Sequence, residues 1–117
     1  MAKGTLTPGG HSSDFCSRRL KAIADPTRWD VLVQLVRGPR TVTELNASLD
    51  VDRTLLSHHL RILRDEGFVL FTREGKKKRY RLAAAVWPTR SGLGLDLGCC
   101  RLELNRPRRR ARRTEAR

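Results

Sequence analysis

The clearest alternation of apolar and polar positions lies in VDRTLLSHHLRILRDEGFVLFTREGKKKRYRL, residues 51–82. Leu56, Leu60 and Leu63 recur at i, i+4 and i+7, the spacing of one stripe on a helix, and Asp52 stands where a side-chain cap is needed. The opposite face is polar and rich in donors: Arg53, Thr54, Ser57, His58, Arg61 and Arg64. Gly67 ends the helix. The period then changes from 3.6 to 2, with Val69 and Phe71 on one face of a strand, a turn at Glu74 and Gly75, and a return strand that turns Tyr80 and Leu82 inward. Lys76, Lys77, Lys78 and Arg79 are left around the projecting tip.

Three shorter helices are expected upstream. Asp14 opens the first, with Phe15, Leu20 and Ile23 as its apolar positions and Cys16 in its first turn. In DPTRWDVLVQLVRG, Asp25 is the expected cap and Pro26 takes the first helical position, where its missing N–H costs nothing; Trp29, Leu32, Val33 and Val36 form the expected buried face. Gly38 and Pro39 break the pattern, and TELNASL gives a third helix capped by Thr43, with Leu45 and Leu49 inward. Residues 50–53 make the turn into the fourth helix, which is helix-turn-helix geometry. Beyond the hairpin, Pro88, Gly92, Gly94 and Gly98 with the alternation Leu93, Leu95, Leu97 favour strand over helix.

Length and charge narrow the function. A chain of 117 residues forms one domain. We divide it into a flexible N-terminus (1–12), a domain with a C-terminal β extension (13–104) and a basic disordered tail (105–117). The net charge is +13: residues 1–82 hold 16 basic and 9 acidic side chains, an excess of 7, and residues 83–117 hold 9 and 3, an excess of 6. Such a balance favours a polyanionic partner, nucleic acid first and an anionic membrane surface second. No apolar run reaches the roughly 18 residues of a membrane span, and no signal-peptide core precedes the domain, so a cytoplasmic protein without membrane attachment is expected. Three cysteines, two of them adjacent, make no disulfide framework and are read as reduced thiols. There is no Gly-rich phosphate loop, nucleophile elbow or metalloprotease motif, which argues against an enzyme.

The phrases LKAIADPTRWDVLVQL, TVTELNASL, LLSHHLRILRDEGFV and REGKKKRYRL, in this order and spacing, resemble the arsenical-resistance-repressor (ArsR/SmtB) family of winged-helix transcription factors over residues 15–82. The resemblance implies a mainly α winged helix-turn-helix with a small β wing. It also implies a homodimeric repressor that binds an inverted repeat in double-stranded DNA and leaves it when a metal, metalloid or redox signal arrives. The family's base-contacting positions fall on Arg53, Thr54, Ser57 and His58, and its wing on residues 73–79. Two departures stand out. The Cys-x-Cys pair that many arsenic and cadmium sensors of the family carry at the start of the third helix is matched here by Thr41 and Thr43. The long last helix by which most members dimerise, and which carries ligands in zinc sensors, gives way to the strand-like C-terminal segment, so dimerisation is expected to rely on the first helix and on pairing of that strand.

Cys99 and Cys100, with Cys16 from either subunit, are therefore the candidate sensing thiols, for arsenite or another soft ion or for an oxidant. If LDLGCCRLEL is one regular strand, neighbouring side chains point to opposite faces, and one ion takes both only across a bulge, for which Gly98 is placed. The plain alternative is two small apolar side chains in a strand. His59 is read as packed rather than ligating, because no ligand lies at i+4. Two other functions stay open: a DNA-binding regulator without a small-molecule input, controlled by a protein partner, and a basic winged-helix adaptor for protein or RNA.

Overall fold

The structure is a computed structural model that describes residues 13–105. The expectation of a flexible N-terminus, and that of a disordered basic tail from residue 106 on, lie outside the described residues; Asn105, assigned to the tail, is instead part of the last strand. Four helices, α1 (Ser13–Ile23), α2 (Pro26–Val36), α3 (Val42–Leu49) and α4 (Arg53–Asp65), are followed by the hairpin β2 (Val69–Glu74) and β3 (Lys77–Leu82). The two-residue strand β1 (Arg40–Thr41) precedes α3 and pairs antiparallel with β3, giving a sheet in the order β1-β3-β2. This is a winged helix-turn-helix. A second antiparallel sheet, β4 (Val86–Pro88), β5 (Gly92–Asp96) and β6 (Arg101–Asn105), occupies the C-terminal part in the order β4-β5-β6, in line with the expected strand character.

Helix α4 forms as its pattern predicts. Asp52 Oδ2 accepts from the Leu55 N–H at 3.1 Å, and Leu56, Leu60 and Leu63 are completely buried. Gly67, at φ +84°, turns the chain out of the helix, and Phe68 drops straight into the core. Helix α3 is capped two residues earlier than expected. Thr41 Oγ1 accepts from Glu44 N–H at 3.2 Å and Glu44 Oε1 accepts from Thr41 N–H at 2.8 Å, the reciprocal box that a T-x-x-E spacing allows. Asp50, left-handed at φ 54°, closes α3.

Two apolar faces differ from expectation. On α2 the fully buried residues are Val31, Leu32 and Leu35, while Trp29, Val33 and Val36 are only half-buried. The helix is covered by α1, α3 and α4 and by β3 and β5, so its buried arc is set by several partners rather than one stripe. On α1, Ala22 is buried and Leu20 is 43% exposed. Asp25 takes the N-cap position of α2 but makes no capping bond; its carboxylate turns instead toward Arg28 and His59. The wing turn is Gly75–Lys76, one residue later than expected, with Glu74 opposite Lys77 and Gly75 at φ +65°.

The C-terminal sheet closes the core from below. Val86, Leu93, Leu95 and Leu97 bury their side chains with those of the helices. On the outer face, the Trp87 indole lies directly over Gly94, where any Cβ would collide with it, and the Arg101 guanidinium stacks on that indole at 4.7 Å. Cys99 and Cys100 do not sit in one continuous strand, as the alternation suggested. They lie in the β5–β6 turn, where Gly98 is at φ +91°, its N–H donates to Asp96 Oδ1 at 2.9 Å, and Leu97 N–H donates to Cys100 O at 2.9 Å.

Candidate nucleic-acid interface

The polar face of α4 and the wing enclose a continuous groove. One part of it, about 450 Å³, is lined by Val42, Thr54, Ser57, His58, Arg61, Arg64, Lys78 and Tyr80. A neighbouring part, about 240 Å³, is lined by Thr41, Val42, Thr43, Arg53, Ser57, Lys76, Lys77 and Lys78. Nine of the ten positions singled out on the helix and wing line one part or the other, and Ser57 and Lys78 line both. The local causes are plain: the leucine stripe turns this face of α4 outward, and the hairpin register brings the lysines back toward the helix.

Within the groove several cations are held in place. Arg53 Nη2 donates to Thr43 Oγ1 at 3.0 Å, so the residue expected to cap α3 instead orients a base-reading candidate. Lys78 Nζ lies 4.8 Å from the centre of the Phe71 ring and the Arg64 guanidinium 5.5 Å from it, so one aromatic ring positions two charges. The Tyr80 ring packs at 5.4 Å from Phe71, and burial raises its phenol above the ordinary value of 10.0.

Arg79 is placed differently. Its Nε donates to Glu74 Oε2 at 3.0 Å and its Nη1 is 3.6 Å from Glu44 Oε1. The hydrogen bond to Glu74 raises its pKa, and Glu44 is lowered chiefly by the bond from the Thr41 N–H. Arg79 thus ties the wing to the cap of α3, with its charge already answered, and does not line the groove.

His58 is exposed, while the adjacent His59 is 8% exposed and packs inward, as expected. His59 Nδ1 is 3.8 Å from Asp25 Oδ2, which is 3.7 Å from Arg28 Nε. Burial lowers the His59 pKa below 6.5; the Asp25 carboxylate opposes that shift, and Arg28 and His58 add to it. With burial favouring the neutral ring, His59 meets the start of α2 by contact rather than through an ion pair, and its Nδ1 makes no hydrogen bond there. Leu55 is a residue that sequence reasoning missed: it stands 46% exposed in the first turn of α4. Its signal was available, because it falls off the stripe of Leu56, Leu60 and Leu63.

The thiols require a correction. Cys16 and Cys99 are joined in a disulfide, with 6.3 Å between their Cα atoms, and are not the free thiols expected. Cys100 is free and exposed. The bond arises because α1 runs beside the β5–β6 turn, where Arg19 Nη2 also donates to Asp96 O at 3.2 Å while its guanidinium lies over the Phe68 ring at 4.6 Å. The disulfide takes up two of the three cysteines expected as sensing thiols and leaves Cys100 as the free one. Among the described residues no group of three His, Cys, Asp or Glu side chains is placed to hold a metal ion, and no helix is long and apolar enough to cross a membrane.

Residues 25–70 match the model of the family described as bacterial regulatory protein, arsR family. The chain is 40% identical over 63 residues to the HTH-type transcriptional regulator NmtR of Mycobacterium tuberculosis, a match covering 54% of this chain and 52% of that protein. It spans about half the length of the curated relatives it matches. Among solved structures, reduced HlyU from Vibrio cholerae superposes with a TM-score of 0.57 at 32% identity, covering 62% of this chain and 76% of that one. A homodimeric winged helix-turn-helix DNA-binding domain of Mycobacterium bovis gives a TM-score of 0.60 at 27% identity, covering 72% and 73%.

Proposed function

Because the chain belongs to the arsR family of bacterial regulatory proteins, we propose that it is a dimeric, cytoplasmic, non-enzymatic repressor that binds an inverted repeat in double-stranded DNA. The observation that carries the reading is the cationic groove between α4 and the wing. Helix α4 enters the major groove with Arg53, Thr54, Ser57 and His58 toward base edges, and Leu55 offers an apolar surface to a thymine methyl. Arg61, Arg64 and the wing lysines take phosphates, which position the protein without reading sequence. Two-fold symmetry of the protein is matched by two half-sites about one helical turn apart. The test is an anisotropy titration on DNA from upstream of the protein's own gene against random DNA of equal length. Ser57→Ala with His58→Ala is expected to lose about 1–3 kcal/mol per base contact and to flatten the preference. A double variant that prefers the operator as strongly as wild type does would rule out α4 as the reader.

Control through the cysteines is the finer part of the proposal. The Cys16–Cys99 bond supports an oxidant as the signal, because disulfides in a reducing cytosol are mostly transient and sensing ones. Two thiols form the bond by giving two electrons and two protons to a peroxide-class oxidant, and the bonded form is the one that leaves DNA. Moving the protein from mostly bound to mostly free takes a difference of about 5 kcal/mol between the two forms. Arsenite or another soft ion is the competing signal, and the site suits it less well: Cys16 and Cys99 supply two sulfurs at one place, and no three-ligand group occurs among the described residues. Peroxide is expected to release wild-type protein but neither Cys16→Ser nor Cys99→Ser. A release that survives in both variants, or that needs Cys100 alone, refutes this control.

A further inference from the structure

The C-terminal sheet has two edges, and they differ. At the β4 edge the Val86 N–H already donates to Ala83 O at 2.9 Å, and Pro88 has no N–H to offer. That edge is closed to another strand. At the β6 edge the Leu97–Cys100 bond sets the alternation, so Leu102 and Leu104 exchange bonds with Leu95 and Leu93 across the antiparallel ladder. The backbone groups of Arg101, Glu103 and Asn105 consequently face away from β5. No described strand covers them, and the strand carries no proline, the device that blunts the other edge. Leu102 and Leu104 are half-buried on the inner face.

We infer that β6 is the seat of a second copy of this chain, paired antiparallel about a two-fold axis through Leu102, so that Arg101 of each protomer lies opposite Glu103 of the other. This deepens the proposed dimer by naming its interface, and it rests on that reading. The register follows from charge. A two-fold axis through Glu103 would place like carboxylates opposite each other, which destabilises a strand pair, whereas the axis through Leu102 sets two opposite-charge pairs on the outer face and a leucine pair on the inner face. Arg101 now rests over Trp87 and reaches Glu103 of the other copy by a change of rotamer. The two three-stranded sheets become one of six strands. A self-complementary edge of this kind is an isologous contact that closes at two copies.

Sedimentation velocity of the full chain tests the inference. Wild-type protein is expected to run as a dimer at micromolar concentration. Glu103→Arg opposes two arginines at both pairs and is expected to weaken dimerisation at least tenfold. Adding Arg101→Glu returns opposite charges to both pairs and is expected to recover most of the lost affinity, short of wild type because position 101 faces Asp96 and rests on Trp87. Both side chains are exposed, and circular dichroism establishes that the variants fold. The same register places Cys100 opposite residue 104 of the other copy at a close, non-hydrogen-bonded pair. Leu104→Cys is therefore expected to give a covalent dimer through Cys100 under mild oxidation, and Leu104→Cys with Cys100→Ser to give none. A monomeric wild type, a Glu103→Arg variant that dimerises as tightly as wild type, or a charge swap that restores nothing overturns the inference. DNA titrations on the same samples separate the two readings: a monomeric variant that still binds a single half-site leaves α4 as the reader, and a dimer that ignores DNA leaves the edge contact standing.

Discussion

Four cations follow one another at the wing, yet the structure divides them into three and one, and the salt dependence of DNA binding should do the same. Lys76, Lys77 and Lys78 line the groove beside Ser57, whereas Arg79 is held by Glu74 at 3.0 Å and Glu44 at 3.6 Å. Each phosphate neutralised contributes roughly 0.9 to the slope of log K against log salt, so replacing the three lysines by alanine lowers the slope by roughly 2.7 for each wing that touches DNA and by roughly 5.4 for both. Between about 50 and 200 mM salt, one wing then accounts for an approximately 40-fold share of the affinity that wild type loses. Arg79→Gln removes a charge already matched by carboxylates, and its slope should change by less than the roughly 0.9 of a single contact. The assay is fluorescence anisotropy over a salt series, on operator and random DNA, with all variants expected to weaken both sequences alike. An unchanged slope in the triple variant would make the wing a solvated tip, and a loss in Arg79→Gln equal to that of one lysine would refute the division.

Two further outcomes concern the frame that holds the groove. Gly94→Ala drives a methyl group into the Trp87 indole and should cost about 1–3 kcal/mol in chemical denaturation, with a change in tryptophan emission as Trp87 leaves the sheet; an unaltered midpoint would mean that the indole is free to move aside. His59, whose pKa is lowered by burial, is protonated in the unfolded chain before the folded one, so its contribution makes stability fall as pH drops below about 6.5, by at most about 1.4 kcal/mol per pH unit, until the folded group is also protonated. His59→Gln should flatten this part of the urea-midpoint profile between pH 7 and 5, and an identical profile in the variant assigns the acid sensitivity to other groups.

What could be read from the chain alone was what local chemistry decides. Asp52 and the stripe of Leu56, Leu60 and Leu63 specify α4 within a dozen residues, and the polar positions left over are the ones that line the groove. The cap of α3 was misassigned to Thr43, although the T-x-x-E spacing of Thr41 and Glu44 carried the signal for it. The face of α2 was not legible, because five elements, from the adjacent α1 and α3 to the distant β5, cover that helix. Nor was the pairing of Cys16 with Cys99, which lie 83 residues apart and meet only because α1 packs beside the β5–β6 turn.

Arg79 shows most directly why composition cannot assign a site. In the sequence it is one of four equivalent positive charges. In the fold, the β1–β3 register sets Arg79 opposite Thr41, and the capping box of Thr41 holds Glu44 within reach of that guanidinium. A helix cap and a strand pairing, each made for local reasons, thus remove one charge from the groove and fix the root of the wing against α3. In the proposed complex the remaining lysines gain from this arrangement, because a hairpin braced at its base has less conformational freedom left to lose when its tip meets a phosphate backbone. The net charge of +13 supplies attraction to any polyanion. It is the placement of two carboxylates, Glu44 and Glu74, that decides which of the wing's charges are left to act on it.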